Sequence, residues 1–334
     1  MLQAYAASSA DSDFKKIEFE PPPLGRDEVE VAVEYCGICH SDLSMKLNEW
    51  GITTYPFVGG HEVVGRVVEL GEGVTELKAG ERVGIGWMSA SCQHCDQCQS
   101  GYQNRCPTGE GTIVGRLGGF ANRVRVQAAW AIPIPDGLAS TDCGPLFCGG
   151  LTVFNPFVEN QILPTARVAV IGIGGLGHLA LQVANAWGCE VTAFSTSPGK
   201  EEEARKMGAH QFLNTRDPDA LESVTGKFDM VLVTVNAQLD WDAYIRTLRP
   251  GGKLHIVGVV PKIEATVFPI IGGQKSIGGS PVGGIVRAKQ MLEFCARHEI
   301  KPLVETYPMS QINEAMEHLA AGKARYRIVL QADW

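Results

Sequence analysis

Four cysteines, Cys92, Cys95, Cys98 and Cys106, follow the spacing C-x2-C-x2-C-x7-C. Thiolates this close can surround one tetrahedral zinc ion and leave no coordination position open, so the site folds a loop and performs no reaction. Iron–sulfur clusters use related spacings, and spacing alone leaves the metal open. The intervening His94 and Asp96 are expected to face solvent. Two further segments carry metal-binding side chains: Cys36-Gly37-Ile38-Cys39-His40-Ser41-Asp42 and Gly59-Gly60-His61-Glu62. Spacing does not choose among Cys36, Cys39 and His40. For any one of them a buried cysteine or a hydrogen-bonded core histidine is the more ordinary role.

A different chemistry is written into Gly172-Ile173-Gly174-Gly175-Leu176-Gly177, which matches G-x-G-x-x-G. It follows an apolar run and opens an amphipathic one, the context in which this motif binds a dinucleotide rather than simply turning the chain. Gly172 permits the tight turn, Gly174 lets a pyrophosphate approach the backbone, and Gly177 lets helix and strand pack closely. The unpaired N–H groups of this turn, with Gly175 and Leu176 in it, and the helix dipole favour phosphate. An NAD site places Asp or Glu about 20 residues past the motif to grip the ribose hydroxyls. Here Ser195-Thr196-Ser197 stands at that place with Lys200 beyond it, while Glu190 falls at the wrong end of the strand. Hydroxyls and an ammonium suit a 2′-phosphate, so the expected cofactor is NADP(H). A polar turn ahead of a helix cap would use the same residue types.

These residues need elements to hold them. The first third contains short apolar runs at 29–33, 63–68 and 124–126, punctuated by Gly, Pro and Asp, as in an all-β, barrel-like domain. The character changes near residue 149. Strands are expected at 167–171, 191–194, 230–235 and 254–260, and helices at 176–187, 200–207 and 241–249. A Pro250-Gly251-Gly252 turn should separate the last helix from the last strand. Alternating strand and helix predicts an α/β, doubly wound parallel sheet. Beyond about residue 285 the chain reads as helical and ends in a strand at 327–330.

Composition bounds the function. A chain of 334 residues, 45% hydrophobic and 20% charged, suggests two globular domains. A net charge of -8 gives no electrostatic reason for a nucleic-acid or anionic-membrane partner. Residues 1–12 lack Lys, Arg and an apolar run, and no segment is long and apolar enough to span a bilayer. A cytoplasmic location is the expectation. Ten cysteines without an export signal then point to metal binding rather than a disulfide framework.

Taken together, GICHSDL (37–43), GHEVVGRVVELG (60–71), the four-cysteine loop, CGGLTVF (148–154), GIGGLGHLALQ (172–182), STSPGKEEEA (195–204) and MLEFCARH (291–298) carry a resemblance. Over nearly its whole length the chain resembles the zinc-dependent medium-chain alcohol dehydrogenases, in the branch similar to cinnamyl alcohol dehydrogenases. The resemblance implies a GroES-like, partly open β-barrel catalytic domain (1–148 and 285–334) and a Rossmann NADP-binding domain (149–284). It implies Cys39, His61 and Cys148 as ligands of a catalytic zinc, a second, structural zinc in the loop, and Glu62 as a transient or alternative ligand. Asp42 would orient His61 and Ser41 would pass a proton. His40 would lie near the cofactor pyrophosphate, Thr152 near the nicotinamide, and Trp50, Ile52 and Val282 in the substrate pocket. The implied reaction interconverts aldehydes and primary alcohols, aromatic and aliphatic, in a homodimer. An NAD-linked polyol dehydrogenase and a non-catalytic zinc- and nucleotide-binding redox sensor are the alternatives. Three departures stand out: Ser44 replaces a histidine that many relatives carry, the stretch between Cys106 and Gly118 is short, and Trp50, with Ile52 near it, adds bulk where plant relatives line the substrate pocket.

Overall fold

The computed structural model describes residues 1–334. The chain forms two compact units, Met1–Leu151 with Gly283–Trp334, and Thr152–Val282.

The first unit is built around the strand Glu28–Ile38, whose Val29, Val31 and Val33 are buried. Glu62–Leu70, Arg123–Gln127 and Arg327–Gln331 all pair antiparallel to it. The seven-stranded sheet continues through Arg82–Ile85 and Ile132–Pro133 on one side and Val304–Pro308 on the other. Register shifts between Glu30 and Val31 and between Val33 and Tyr35 break the Glu28–Ile38 ladder, and such bulges bend a sheet towards closure. The result is a partly open barrel. Its interior is filled by aliphatic side chains and by Phe14, Phe57 and Phe120, with Phe14 edge-on to Phe120 at 5.8 Å.

The second unit is a six-stranded, all-parallel sheet in the order Gln211–Asn214, Glu190–Ser195, Arg167–Ile171, Phe228–Val233, Leu248–Ile256, Ser276–Gly279. The chain runs outward one way from Arg167–Ile171 and then restarts beside it with Phe228–Val233. That reversal is the topological switch point at which doubly wound sheets bind ligands. The helix Gly177–Trp187 follows the glycine turn and stops at Gly188, whose φ of 101° closes it in the left-handed region.

Several expected boundaries move. The helix at 241–249 ends at Thr247, and Pro250-Gly251-Gly252 does not separate it from the next strand. The strand begins at Leu248, which pairs with Phe228, while Lys253 already pairs with Met230. The prolyl and glycyl residues therefore loop out of the ladder as a bulge, with Gly251 at φ 75°. The strands expected to reach Val235 and Val260 stop at Val233 and Ile256. Residues 200–207 divide into a 3-10 turn, Pro198–Lys200, and a helix, Glu201–Lys206. Residues 149–151 and 283–284 belong to the first unit, not to the cofactor domain. The packing explains this: a Cβ on Gly150 would meet Leu146 and Met291, and one on Gly284 would meet the Gly101 carbonyl.

Candidate metal centres and dinucleotide site

The strand Glu28–Ile38 delivers Cys39 to the start of the helix His40–Lys46, where Cys39 is the N-cap. Asp42, in the first turn, organises the region. Its Oδ2 accepts the Cys39 N–H at 2.9 Å, and its Oδ1 accepts the Gly60 N–H at 2.8 Å and faces His61 Nδ1 at 3.1 Å. Asp42 and His61 are both fully buried. An ionised carboxylate only accepts, so it holds the ring proton on Nδ1 and leaves the lone pair on Nε2. That Nε2 is buried and has no hydrogen-bond partner. A buried acceptor left unmade costs about 1–3 kcal/mol, so its position calls for a ligand.

The atoms around it match a cation. Cys39 Sγ and Cys148 Sγ lie 3.8 Å apart, buried and without a disulfide. The donor atoms of Cys39, His61, Glu62 and Cys148 all fall within 4.8 Å of one another. A Zn–S bond of about 2.3 Å sets tetrahedral sulfurs about 3.8 Å apart. The residues fit the ion. The Cys148 thiol and the Arg327 charge hold Cys39 well below its ordinary range despite burial. Burial alone would keep His61 neutral, but Asp42 pulls its basicity well above the usual histidine range. The first makes the Cys39 thiolate available, and the second shows how strongly the buried Asp42 carboxylate favours positive charge at this place.

Glu62 stands among these donors and is ion-paired to Arg327 through Oε1, both side chains buried. Its Oε2 has no partner. Burial raises the Glu62 carboxyl, and Arg327 offsets only part of that. Gly37 makes room for it: a Cβ there would lie 2.1 Å from Oε2. Ser41 Oγ lies 3.7 Å from Cys39 Sγ and is half-buried. His40 is exposed at the first residue of its helix.

Cys36 is not a member of the cluster. It packs in the barrel core, where a Cβ on Gly60 would come within 2.7 Å of its sulfur; Gly60 takes φ 91° there. Two side chains escaped the sequence reading. Arg327 was read only as the start of a terminal strand. Trp87 stands edge-on to the His61 ring at 5.0 Å and to Trp50 at 5.9 Å. No spacing rule reaches from Glu62 to Arg327, or from Trp50 to Trp87. Trp50 is half-buried and Ile52 is 49% exposed. Ser44 is buried within its helix.

The four-cysteine loop forms a second cluster, again with all sulfurs within 4.8 Å. Cys92 and Cys98 are 3.9 Å apart, and Cys95 and Cys106 are 4.0 Å apart. Backbone N–H groups of Cys92 and Cys95 donate to Cys106 Sγ at 3.4 Å and to Cys92 Sγ at 3.3 Å. Those bonds favour the thiolates, and Cys106, helped first by the Cys92 N–H, falls to about 6. Sulfurs this close suit a single tetrahedral ion such as zinc. His94 and Asp96 are exposed, as expected.

In the second unit the glycine turn meets its requirements one residue at a time. Gly172 takes φ 87°, and a Cβ on Gly177 would lie 1.8 Å from the Gly172 carbonyl. A Cβ on Gly174 would meet nothing in the protein, so that exposed surface is open for a ligand. Gly175 and Leu176 are half-buried beside it. Ser195 ends its strand with Oγ accepting the Ser197 N–H at 3.1 Å, while Thr196 and Ser197 are exposed. Lys200 folds back to the turn, its Nζ 2.6 Å from the Ile173 carbonyl. Hydroxyls, ammonium and glycine turn therefore share the carboxyl ends of two adjacent strands, Arg167–Ile171 and Glu190–Ser195. Glu190 lies at the opposite end of its strand, near Arg167. Thr152 is buried in the helix Gly149–Glu159, and Asn155 of that helix donates to the Val282 carbonyl at 3.1 Å.

Comparison with known proteins agrees with this layout. Residues 25–136 match the alcohol dehydrogenase GroES-like domain, and residues 175–297 match the zinc-binding dehydrogenase family. Aldehyde reductase AdhA of Synechocystis sp. is 53% identical over 99% of this chain and 98% of its own length. NADP-dependent alcohol dehydrogenase C 1 of Mycolicibacterium smegmatis is 38% identical over 98% of this chain and 97% of its own. A cinnamyl alcohol dehydrogenase structure from Sorghum bicolor superposes with a TM-score of 0.94 at 34% identity, covering 99% of this chain and 97% of that one. The chain thus belongs to the zinc-dependent medium-chain alcohol dehydrogenases, in their cinnamyl-alcohol-dehydrogenase-like branch.

Proposed function

We propose that the protein reduces aldehydes, aromatic and aliphatic, to primary alcohols with NADPH, and catalyses the reverse oxidation with NADP+. The observation that carries this reading is the buried, unpartnered Nε2 of His61 beside the Cys39 and Cys148 sulfurs. In this reading Cys39, His61 and Cys148 hold the catalytic zinc, and Cys92, Cys95, Cys98 and Cys106 hold the structural one. When bound, the catalytic zinc supplies a Lewis acid for the carbonyl oxygen and NADPH supplies the hydride. Asp42 fixes the His61 tautomer and, through the Gly60 and Cys39 amides, the spacing of the donors. Arg327 holds Glu62 beside the cluster as an alternative donor. Ser41 relays the proton that the product oxygen needs; because Ser44 stands where many relatives carry a titratable histidine, the relay continues through ribose hydroxyls and water instead. Trp50 and Trp87 give an aromatic wall beside His61, with Ile52 as further lining.

In the second unit Gly172, Gly174, Gly175, Leu176 and Gly177 cradle the pyrophosphate, and Ser195, Thr196, Ser197 and Lys200 bind the 2′-phosphate. His40 and Thr152 are assigned to the pyrophosphate and the nicotinamide. The names of the Synechocystis and Mycolicibacterium relatives support both the aldehyde and the NADP assignments. A parallel activity panel of aldehydes and alcohols with both cofactors tests the reading. NADPH with an aromatic aldehyde should give the highest kcat/KM, whereas better turnover of NADH with a polyol would transfer the chain to the polyol alternative.

We further infer a homodimer formed through the second unit and acting in the cytoplasm. Ser276–Gly279 is an edge strand, and near it in sequence Val259, Val267, Phe268 and Ile271 are 60%, 61%, 80% and 69% exposed. An open strand edge next to exposed apolar side chains is a surface that a second copy can cover. No helix is long and apolar enough to cross a membrane.

A further inference from the structure

The four-cysteine loop does more than close on itself. Between its third and fourth cysteines lies a 3-10 turn, Gln103–Arg105, whose first carbonyl accepts the Cys106 N–H at 3.1 Å. The Gln103 side chain is buried, which is unusual for an amide on a surface loop. It reaches far along the sequence: its Oε1 accepts the backbone N–H of Ile285 at 3.2 Å.

Ile285 is the first residue of the helix Ile285–Arg297, so that N–H has no partner within the helix. The N-cap position is Gly284, which has no side chain to supply an acceptor. Gln103 caps the helix from outside. Gly284 is glycine because the loop lies against it: a Cβ there would stand 2.2 Å from the Gly101 carbonyl and 2.6 Å from Gln103 Oε1. Ile285 is also the apolar anchor of this contact. It packs with Met88 and Trp130, and Trp87 packs against the same cluster. Trp130 Nε1 in turn donates to Ser91 Oγ at 3.0 Å, at the base of the loop. Trp87 is the ring that stands on His61.

From this chain of contacts we propose that Gln103 is a positioning residue, which fixes Ile285 and through it the Trp87 wall of the aldehyde pocket. The structural metal loop thereby sets substrate selectivity, and does not serve stability alone. The inference rests on the pocket reading above for its selectivity arm only; the contact between Gln103 and Ile285 stands apart from it.

The test uses the zinc-loaded, full-length enzyme. Gln103→Met keeps the bulk of the side chain and removes the acceptor, while Gln103→Glu keeps an acceptor oxygen. In the Met variant, zinc content should remain unchanged, and hydrogen exchange at the Ile285 amide should accelerate about tenfold, the loss of one buried hydrogen bond. The KM for an aromatic aldehyde should rise several-fold with kcat within about twofold, and the preference for that aldehyde over a two-carbon aldehyde should fall about fivefold. The Glu variant should return both readouts most of the way to wild type. In the wild-type enzyme at low urea, the Ile285 amide and the amides of residues 98–106 should open together, a measurement that needs no variant to fold. Unchanged Ile285 exchange in the Met variant, exchange uncoupled from the loop, or faster exchange with selectivity unmoved would each overturn the proposal. If the wild-type enzyme reduces no aldehyde, the pocket reading fails while the exchange results still decide the tie.

Discussion

At the scale of single residues, Asp42 is the side chain on which the candidate catalytic cluster depends. One carboxylate accepts from the Cys39 amide, the Gly60 amide and the His61 ring. Hydrogen bonds to a charged group each contribute about 1.5–3 kcal/mol, enough together to hold a buried ion that would otherwise be expelled. The same logic, with the sign of the charge reversed, applies at the far end of the dinucleotide site. There the strand ends in Ser195 where a carboxylate would grip a ribose, and Lys200 supplies positive charge. Ser195→Asp should therefore place a negative charge against the 2′-phosphate. The expected outcome is a fall in the NADPH over NADH ratio of kcat/KM by at least about tenfold, the scale of one unfavourable charge contact worth 1.4 kcal/mol. A ratio left unmoved would remove Ser195 from the phosphate site.

At the scale of elements, what the sequence made readable was local. The glycine turn, the strand before it and the helix after it lie within a few residues of one another, and hydrophobic period and turn chemistry reveal such units. The four-cysteine loop was readable for the same reason. Long-range partners were not: nothing in the order of residues places Arg327 beside Glu62, or Gln103 against Ile285. Spacing alone did not separate Cys39 from Cys36, and the resemblance implied Cys39; the fold gives the physical reason, since Cys36 packs into the barrel core from the strand while Cys39, at the helix N-cap, joins the donor cluster. The misplaced Pro250-Gly251-Gly252 turn is a related case, since turn residues can sit inside a ladder as a bulge when neighbours on both sides still pair.

Another element-scale contact predicts a pH response. His255, on the strand Leu248–Ile256, is buried between the Asn160 amide at 3.0 Å and Ser280 Oγ at 2.9 Å, with Glu159 and Lys253 as the nearby charges. The Asn160 NH2 donates to Nδ1, so the neutral ring carries its proton on Nε2 and donates to Ser280. Burial first, then Lys253, depress the ring to about 4. The folded value lies below the unfolded value of about 6.5, so the unfolded chain takes up this proton first. The stabilisation is complete above the unfolded value and is lost as pH falls towards about 4. Melting temperature between pH 7 and pH 4.5 should fall more steeply for the wild type than for His255→Gln, which cannot titrate. Parallel curves would contradict the assignment.

At the scale of the whole molecule, chemistry is divided between two units: the metal-type donors all lie in Met1–Leu151 with Gly283–Trp334, and the dinucleotide turn lies in Thr152–Val282. The chain passes from the first unit to the second between Leu151 and Thr152, within the helix Gly149–Glu159, and returns between Val282 and Gly283. Assembly belongs to this scale as well. Phe268→Asp places a charge on the exposed apolar surface of the second unit and should convert the inferred dimer to monomer, read by light scattering during gel filtration. A wild-type protein that runs as a monomer at micromolar concentration would remove the dimer from the account.

Zinc counting in the wild type and in Cys148→Ala tests the central claim most directly. Two ions per chain should be found in the wild type. The variant should retain one ion and bind NADPH normally while aldehyde reduction disappears. Two ions retained in Cys148→Ala, or a single ion in the wild type with full activity, would contradict the assignment of Cys39, His61 and Cys148 to a catalytic metal.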